Sequence, residues 1–161
     1  MGSGALVTEA ALDFGDALPD GGVLLALDLG TKTIGLATCD AGWRFATAGK
    51  TLPRSKFGKD SAKLREIVEQ RGVRGFVIGL PKNMDGSDGA RVQASRAYAK
   101  NIAEAFDLPV LLWDERWSTA SAEAAMIGQD MSRAKRAERI DSHAAAVILQ
   151  AAIDRLAGGV L

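Results

Sequence analysis

Gly75-Phe76-Val77-Ile78-Gly79-Leu80 is an unbroken apolar run. It lacks the polar alternation of a strand with one wet face, so it predicts a central strand buried on both sides. A chain built around such a strand must lay helices over both faces of its sheet. Val110-Leu111-Leu112-Trp113 is a second run of this kind, and Val23-Leu24-Leu25-Ala26-Leu27-Asp28-Leu29 is a strand interrupted by one acid.

The intervening segments supply the helices. Residues 61–71 carry Leu64, Ile67 and Val68 on one helical face, and residues 90–106 form a helix that must end before Pro109. After the first strand, a tight Gly30-Thr31-Lys32 turn leads into a second strand over 33–39. Asp40-Ala41-Gly42 turns the chain into a third strand at 43–47, followed by a basic loop at 50–59. Ser118 caps a helix over 119–127, the segment 128–137 is polar and basic, and a last helix runs over about 138–156 before Gly158-Gly159. The order β-β-β-α-β-α-β-α-α predicts an α/β protein. Its sheet is mixed and five-stranded, three antiparallel strands then parallel ones, with helices on both faces.

A length of 161 residues predicts one domain. Residues 1–22 are small, Gly-rich and acidic, with a weak apolar pattern at 10–14, and are expected to form a flexible extension that allows a helical turn. Residues 23–157 are expected to be the folded domain. The 20 basic and 20 acidic residues balance, so any nucleic-acid binding must use local patches. The single Cys39 excludes an internal disulfide and a multi-cysteine zinc site, and is expected to be a small core residue of a reduced protein. No apolar run approaches the ~20 residues that span a bilayer, and the N-terminus lacks a secretory pattern. A cytoplasmic location is the default expectation.

Against this framework three acids stand in unlikely places. Asp28 lies inside an apolar strand, Glu115 directly follows the strand ending at Trp113, and Asp141 opens an Ala-rich helix. A carboxylate is costly to bury without a cation or strong donors. If the strands bearing Asp28 and Glu115 are parallel neighbours, their acids project at the same sheet edge. Asp141 shares a helical face with Ala145, Ile148 and Ala152, which must pack on the sheet. Three convergent carboxylates would repel one another, and one or two magnesium ions would relieve this; paired ions about 3.5–4 Å apart support phosphodiester cleavage. Taken singly, each acid has an ordinary explanation: Asp28 as a cap of the Gly30 turn, Glu115 as a partner of Arg116 or a cap of the helix near Ser118, Asp141 as a first-turn acid.

Cations accompany the acids. The Gly30-Thr31-Lys32 turn offers backbone N–H groups and the Lys32 ammonium to a phosphate. Arg91, Arg96 and Lys100 follow a Gly-rich loop, with Arg96 and Lys100 at i, i+4. Lys50, Arg54, Lys56, Lys59 and Lys63 form a second cluster, and a solvated face is the plain reading for at least one of the clusters. Arg133, Lys135, Arg136 and Arg139 form a third, beside Asp141 and best placed to hold a phosphate backbone. His143, two residues from Asp141, is on a different helical face and is expected to have a structural or surface role and not to be a metal ligand. Trp43 is expected in the core, while Trp117 suits either the core or base stacking.

Leu27-Asp28-Leu29-Gly30-Thr31-Lys32-Thr33-Ile34-Gly35-Leu36-Ala37 resembles the opening motif of the YqgF/RuvX family of Holliday-junction-resolvase-like nucleases. Gly79-Leu80-Pro81-Lys82-Asn83-Met84-Asp85-Gly86, Asp114-Glu115-Arg116-Trp117-Ser118-Thr119, and Asp141 through Gln150 resemble its next three motifs, in the family's order. The resemblance implies a ribonuclease H-like fold and a magnesium-dependent nuclease, with manganese as a substitute, that trims the 5′ side of pre-16S rRNA. It implies Asp28, Glu115 and Asp141 as the acidic metal-binding and catalytic residues. One departure is that Thr33 stands where the family usually has Arg, which removes a cation from the first turn. A resolvase acting on branched DNA, which would need a homodimer, and a non-catalytic RNA-binding factor in ribosome biogenesis are the alternatives; the pattern leaves monomer and homodimer open. The Asp-x-Gly-Thr turn also resembles the first phosphate loop of actin-like ATPases and sugar kinases, which need a second such domain.

Overall fold

The computed structural model describes residues 5–83, 85–117 and 133–158, with side chains described for 5–83, 85–116 and 142–158. Strand β1 (Val7–Thr8) and helix α1 (Ala11–Ala17) precede an antiparallel meander of β2 (Val23–Leu29), β3 (Thr33–Cys39) and β4 (Ala46–Pro53). Helix α2 (Phe57–Arg71), β5 (Val73–Leu80), α3 (Ala90–Phe106) and β6 (Val110–Asp114) follow. A 3-10 turn at Glu115–Trp117 comes next, and the last described element is α4 (Arg133–Gly158). Among the described residues the sheet has six strands in the order β1-β6-β5-β2-β3-β4. β2 pairs parallel with β5, and β5 parallel with β6.

Alternation along the central strands sorts their side chains into two cores. Leu25, Leu27 and Leu29 of β2 meet Phe76, Ile78 and Leu80 of β5 under α2 and α3, where Leu64, Val92, Tyr98 and Ile102 close that face. Leu24 and Ala26 of β2, Val77 of β5 and Leu111 and Trp113 of β6 meet Ala145, Ile148, Leu149, Ala152 and Ile153 of α4 on the other. Asp28 belongs by alternation to the α4 face. Phe76 to Leu80 are buried throughout, as the apolar run predicts.

Four expectations need correction. The sheet has a sixth strand, and it comes from the segment expected to be a flexible extension: Val7 and Thr8 pair parallel with Val110 and Leu111 of β6. The segment is held by packing, because Phe14 of α1 is fully buried in the α4-side core and Leu18 joins it. The third meander strand starts at Ala46, not 43, and runs on through the expected basic loop. Asp40 explains the late start, since its carboxylate accepts hydrogen bonds from the N–H groups of Gly42, Arg44 and Phe45 and holds them in a turn where Trp43 has φ of 58°. Pro53 is tolerated because β4 is an edge strand. The last helix begins at Arg133, earlier than expected.

The helix expected over 119–127 and its Ser118 cap lie outside the described residues. Cys39 is buried, and burial pushes its thiol up to about 11, consistent with an inert core residue. Trp43 is half-buried and donates its indole N–H to the Gly22 carbonyl at 2.8 Å. Among the described residues no helix is long and apolar enough to cross a membrane.

Candidate active site

One transverse row of the sheet assembles the site. Asp28 of β2 stands opposite Gly35 of β3, which stands opposite Thr51 of β4. Leu27 pairs with Ile78, so Gly79 is the next residue of β5 alongside Asp28. Gly79 pairs with Trp113 and Leu80 with Asp114, which brings the chain to Glu115 one residue past the end of β6. The two acid-bearing strands are parallel but not direct neighbours: β5 lies between them.

Glu115 nevertheless reaches towards Asp28. Its side chain lies against Gly79, so closely that a Cβ on that glycine would meet Glu115 Oε2 at 2.8 Å. Burial, and then the negative charge of Asp28, raise the Glu115 carboxyl to about 7; the Arg91 guanidinium works against this rise, and Asp114 adds to it. Asp28 itself is half-buried at the strand's end. Two acids thus share one partly dry recess, and the charge of each raises the cost of ionising the other.

The segment that carries Asp141 is placed by the next residue. Ser142 of α4 is buried and shares a 2.7 Å hydrogen bond with Thr51, at the end of the Asp28–Gly35–Thr51 row. The backbone of Asp141 therefore sits at the level of the row, while its side chain lies outside the described residues. Among the described residues no three His, Cys, Asp or Glu side chains group about a common ion. Arg133, Lys135 and Arg136 fall on the first turns of α4, also without described side chains. Among the predicted cations, Arg91 is exposed on the first turn of α3 beside Glu115, and Lys32 is exposed on the β2–β3 turn.

Arg96 has a different occupation. Its guanidinium engages Asp88 and Glu9, each at 2.9 Å, and Lys82 approaches the same two carboxylates at 3.3 Å (Glu9) and 3.6 Å (Asp88). This four-charge cluster fastens the segment after β1 to the loop that precedes α3. The acid next to the site is also engaged: buried Asp114 takes a bidentate grip from Arg116, which holds its carboxyl below the usual range and braces the turn carrying Glu115.

Arg54 is a residue that charge pattern alone does not single out. Its guanidinium donates to the Gly30 carbonyl at 2.7 Å, and its backbone N–H donates to the Lys32 carbonyl at 2.8 Å. The same guanidinium lies 5.3 Å from the Tyr98 ring centroid, and the Tyr98 hydroxyl donates to buried Asp60. Arg54 therefore sets the shape of the turn that follows Asp28. Arg54→Met is expected to lower stability by about 1–2 kcal/mol in urea denaturation, the scale of a part-buried charged hydrogen bond with its ring contact. It should also weaken nucleic-acid binding; an unchanged denaturation midpoint would show that the clamp contributes nothing.

A mixed sheet of this order, with acids at the ends of parallel strands under a C-terminal helix, defines a ribonuclease H-like architecture. The chain belongs to the RuvX family, whose model, described as "Holliday junction resolvase", matches residues 22–155. It is 64% identical over 153 residues to a Novosphingobium aromaticivorans protein named "Putative pre-16S rRNA nuclease", covering 95% of this chain and 98% of that protein. A Sphingopyxis alaskensis protein of the same name is 60% identical over 151 residues, covering 94% and 99%. In fold, the chain resembles the Thermus thermophilus RuvC structure with a TM-score of 0.53 at 16% identity, covering 84% of this chain and 96% of that one.

Proposed function

We propose that this protein is a metal-dependent nuclease that hydrolyses phosphodiester bonds in the maturation of the 5′ end of pre-16S rRNA, working in the cytoplasm. The observation that carries this reading is the placement of Glu115 over Gly79 beside Asp28, two carboxylates close enough that the charge of Asp28 raises the Glu115 carboxyl. Such a donor set suits a hard divalent cation, because oxygen ligands of unbalanced charge are what magnesium and manganese take. Asp28, Glu115 and Asp141 are the residues that would hold it. When bound, the ion supplies Lewis acidity to an incoming water and to the leaving oxygen of a phosphodiester.

The chain's own cations arrange the substrate. Arg91, whose charge acts on Glu115, and Lys32, on the turn that follows Asp28, would meet the phosphates nearest the cut. Arg133, Lys135 and Arg136, just ahead of Asp141, would hold the flanking backbone. Arg96 acts through the loop it fastens. The relatives' names favour precursor rRNA as substrate over a branched DNA.

The test is a magnesium-dependent cleavage assay of precursor rRNA and of a four-way DNA junction, wild type against Asp28→Asn. Cleavage of the RNA that falls at least ~100-fold in the variant is expected, on the scale of losing a group essential to hydrolysis. Cleavage of the junction alone would reassign the substrate to branched DNA. RNA binding that survives Asp28→Asn, with no cleavage by either protein, would leave a non-catalytic binding factor.

A further inference from the structure

β5 contains two glycines on its α4 face, and they are used differently. A Cβ on Gly75 would meet only apolar groups: Leu18 Cδ1 and Phe14 Cζ at 3.0 Å and Leu24 Cδ2 at 3.2 Å. That glycine makes room for packing. A Cβ on Gly79 would meet Glu115 Oε2 at 2.8 Å, Ile148 Cδ1 at 3.0 Å and Glu115 Cγ at 3.1 Å. Here the space goes mainly to a carboxylic acid. Gly79 does not have a positive φ, so room, not backbone freedom, is what the glycine provides. A glycine inside a buried strand weakens it, which makes the position notable.

Sheet order shows why the room matters. β2 and β6 are separated by β5, so the strands bearing Asp28 and Glu115 are about 9–10 Å apart at the usual spacing. Two oxygens that bind one magnesium must each come within ~2.1 Å of it. Glu115 can close that gap only by lying flat across β5, and the one residue it must cross is Gly79.

We propose that Gly79 is a positioning residue, whose missing side chain is the passage by which Glu115 crosses the sheet to share a cation with Asp28. The inference rests on the functional reading above, in which Glu115 and Asp28 hold a divalent ion. It adds a requirement that neither acid carries by itself.

Manganese binding to the purified full-length protein, measured by calorimetry, tests it alongside thermal denaturation. Gly79→Ala is expected to weaken manganese binding at least ~10-fold, on the scale of losing the support of a metal-binding side chain. Because the new methyl also crowds Ile148, a second variant combines Gly79→Ala with Ile148→Val, which removes Cδ1. The double variant is expected to regain thermal stability while manganese binding stays weak. If Ile148→Val restores both, or if Gly79→Ala binds manganese as tightly as wild type, Gly79 is a packing residue and the inference is wrong. A double variant that fails to fold would overturn it too, since the carboxylate would then not be what yields. A wild-type protein that binds no manganese, or binds it equally after Glu115→Gln, would instead fail the functional reading and take the inference with it.

Discussion

Glu115→Gln is expected to lower cleavage by about 1000-fold and, in chelator at pH 8, to make the protein more stable than wild type. Both effects come from one environment. Burial and the charge of Asp28 raise the Glu115 carboxyl from an ordinary 4.5 to about 7. In the unfolded chain the group ionises near its ordinary value, so between about pH 4.5 and 7 the folded state holds a proton that the unfolded state has lost. Folding is then linked to proton uptake, and wild-type stability falls as pH rises through that window. The full penalty, about 3 kcal/mol for a shift of this size, is present at pH 8 and absent at pH 4. Glutamine keeps the shape and carries no charge, so the variant should melt roughly 6–12 °C higher at pH 8 and show little gain at pH 4. Adding manganese should narrow the gap by stabilising the wild type more. Equal melting temperatures at pH 8 would show that Glu115 is not strained by its surroundings. Retained cleavage would remove it from the catalytic set, which on the scale of acid–base and charge-stabilising groups accounts for two to four orders of magnitude.

The same environment explains what the sequence discloses. Strands buried on both faces leave unbroken apolar runs, so Phe76–Leu80 and Val110–Trp113 can be located without coordinates, and an acid inside or beside such a run is conspicuous. Asp28 and Glu115 are visible for that reason. Their separation by β5 is not, because strand order depends on which crossover each helix makes, and no residue type marks it. Gly79 does carry a signal, since a glycine inside a strand implies close approach of another group, although the sequence does not say that the group is Glu115. The Glu9–Arg96 pair spans 87 positions, and charge clusters alone do not name their partners. Arg54 reads as one of several surface cations until its bond to Gly30 is seen. The start of β4 is displaced by a turn held by Asp40, an effect of side-chain capping that strand propensity does not register.

Phe14→Ala is expected to lower the stability of the protein by about 3–5 kcal/mol, the cost of emptying a phenyl ring's space in a packed core. Phe14 lies in a segment whose glycines and acids suggest an appendage, and β1 is too short to show a period. Yet its ring is fully buried, approaches the backbone of Gly75, and joins Leu24, Val77, Leu111 and Ile153 in the core beneath α4. Two further ties hold the same segment: the pairing of Val7 and Thr8 with β6, and Glu9 on Lys82 and Arg96. The exposed ion pairs contribute little by themselves, typically under about 1 kcal/mol each and less at high salt. Phe14 should therefore dominate, and Glu9→Gln should change stability far less than Phe14→Ala in the same denaturation series. If Phe14→Ala left the denaturation midpoint within about 0.5 kcal/mol of wild type, the segment would be an appendage after all. A large loss would mean that β6, and the turn that presents Glu115, depend on residues ahead of the meander, because Phe14 shares the α4-side core with Leu111, two turns of the pleat from the site.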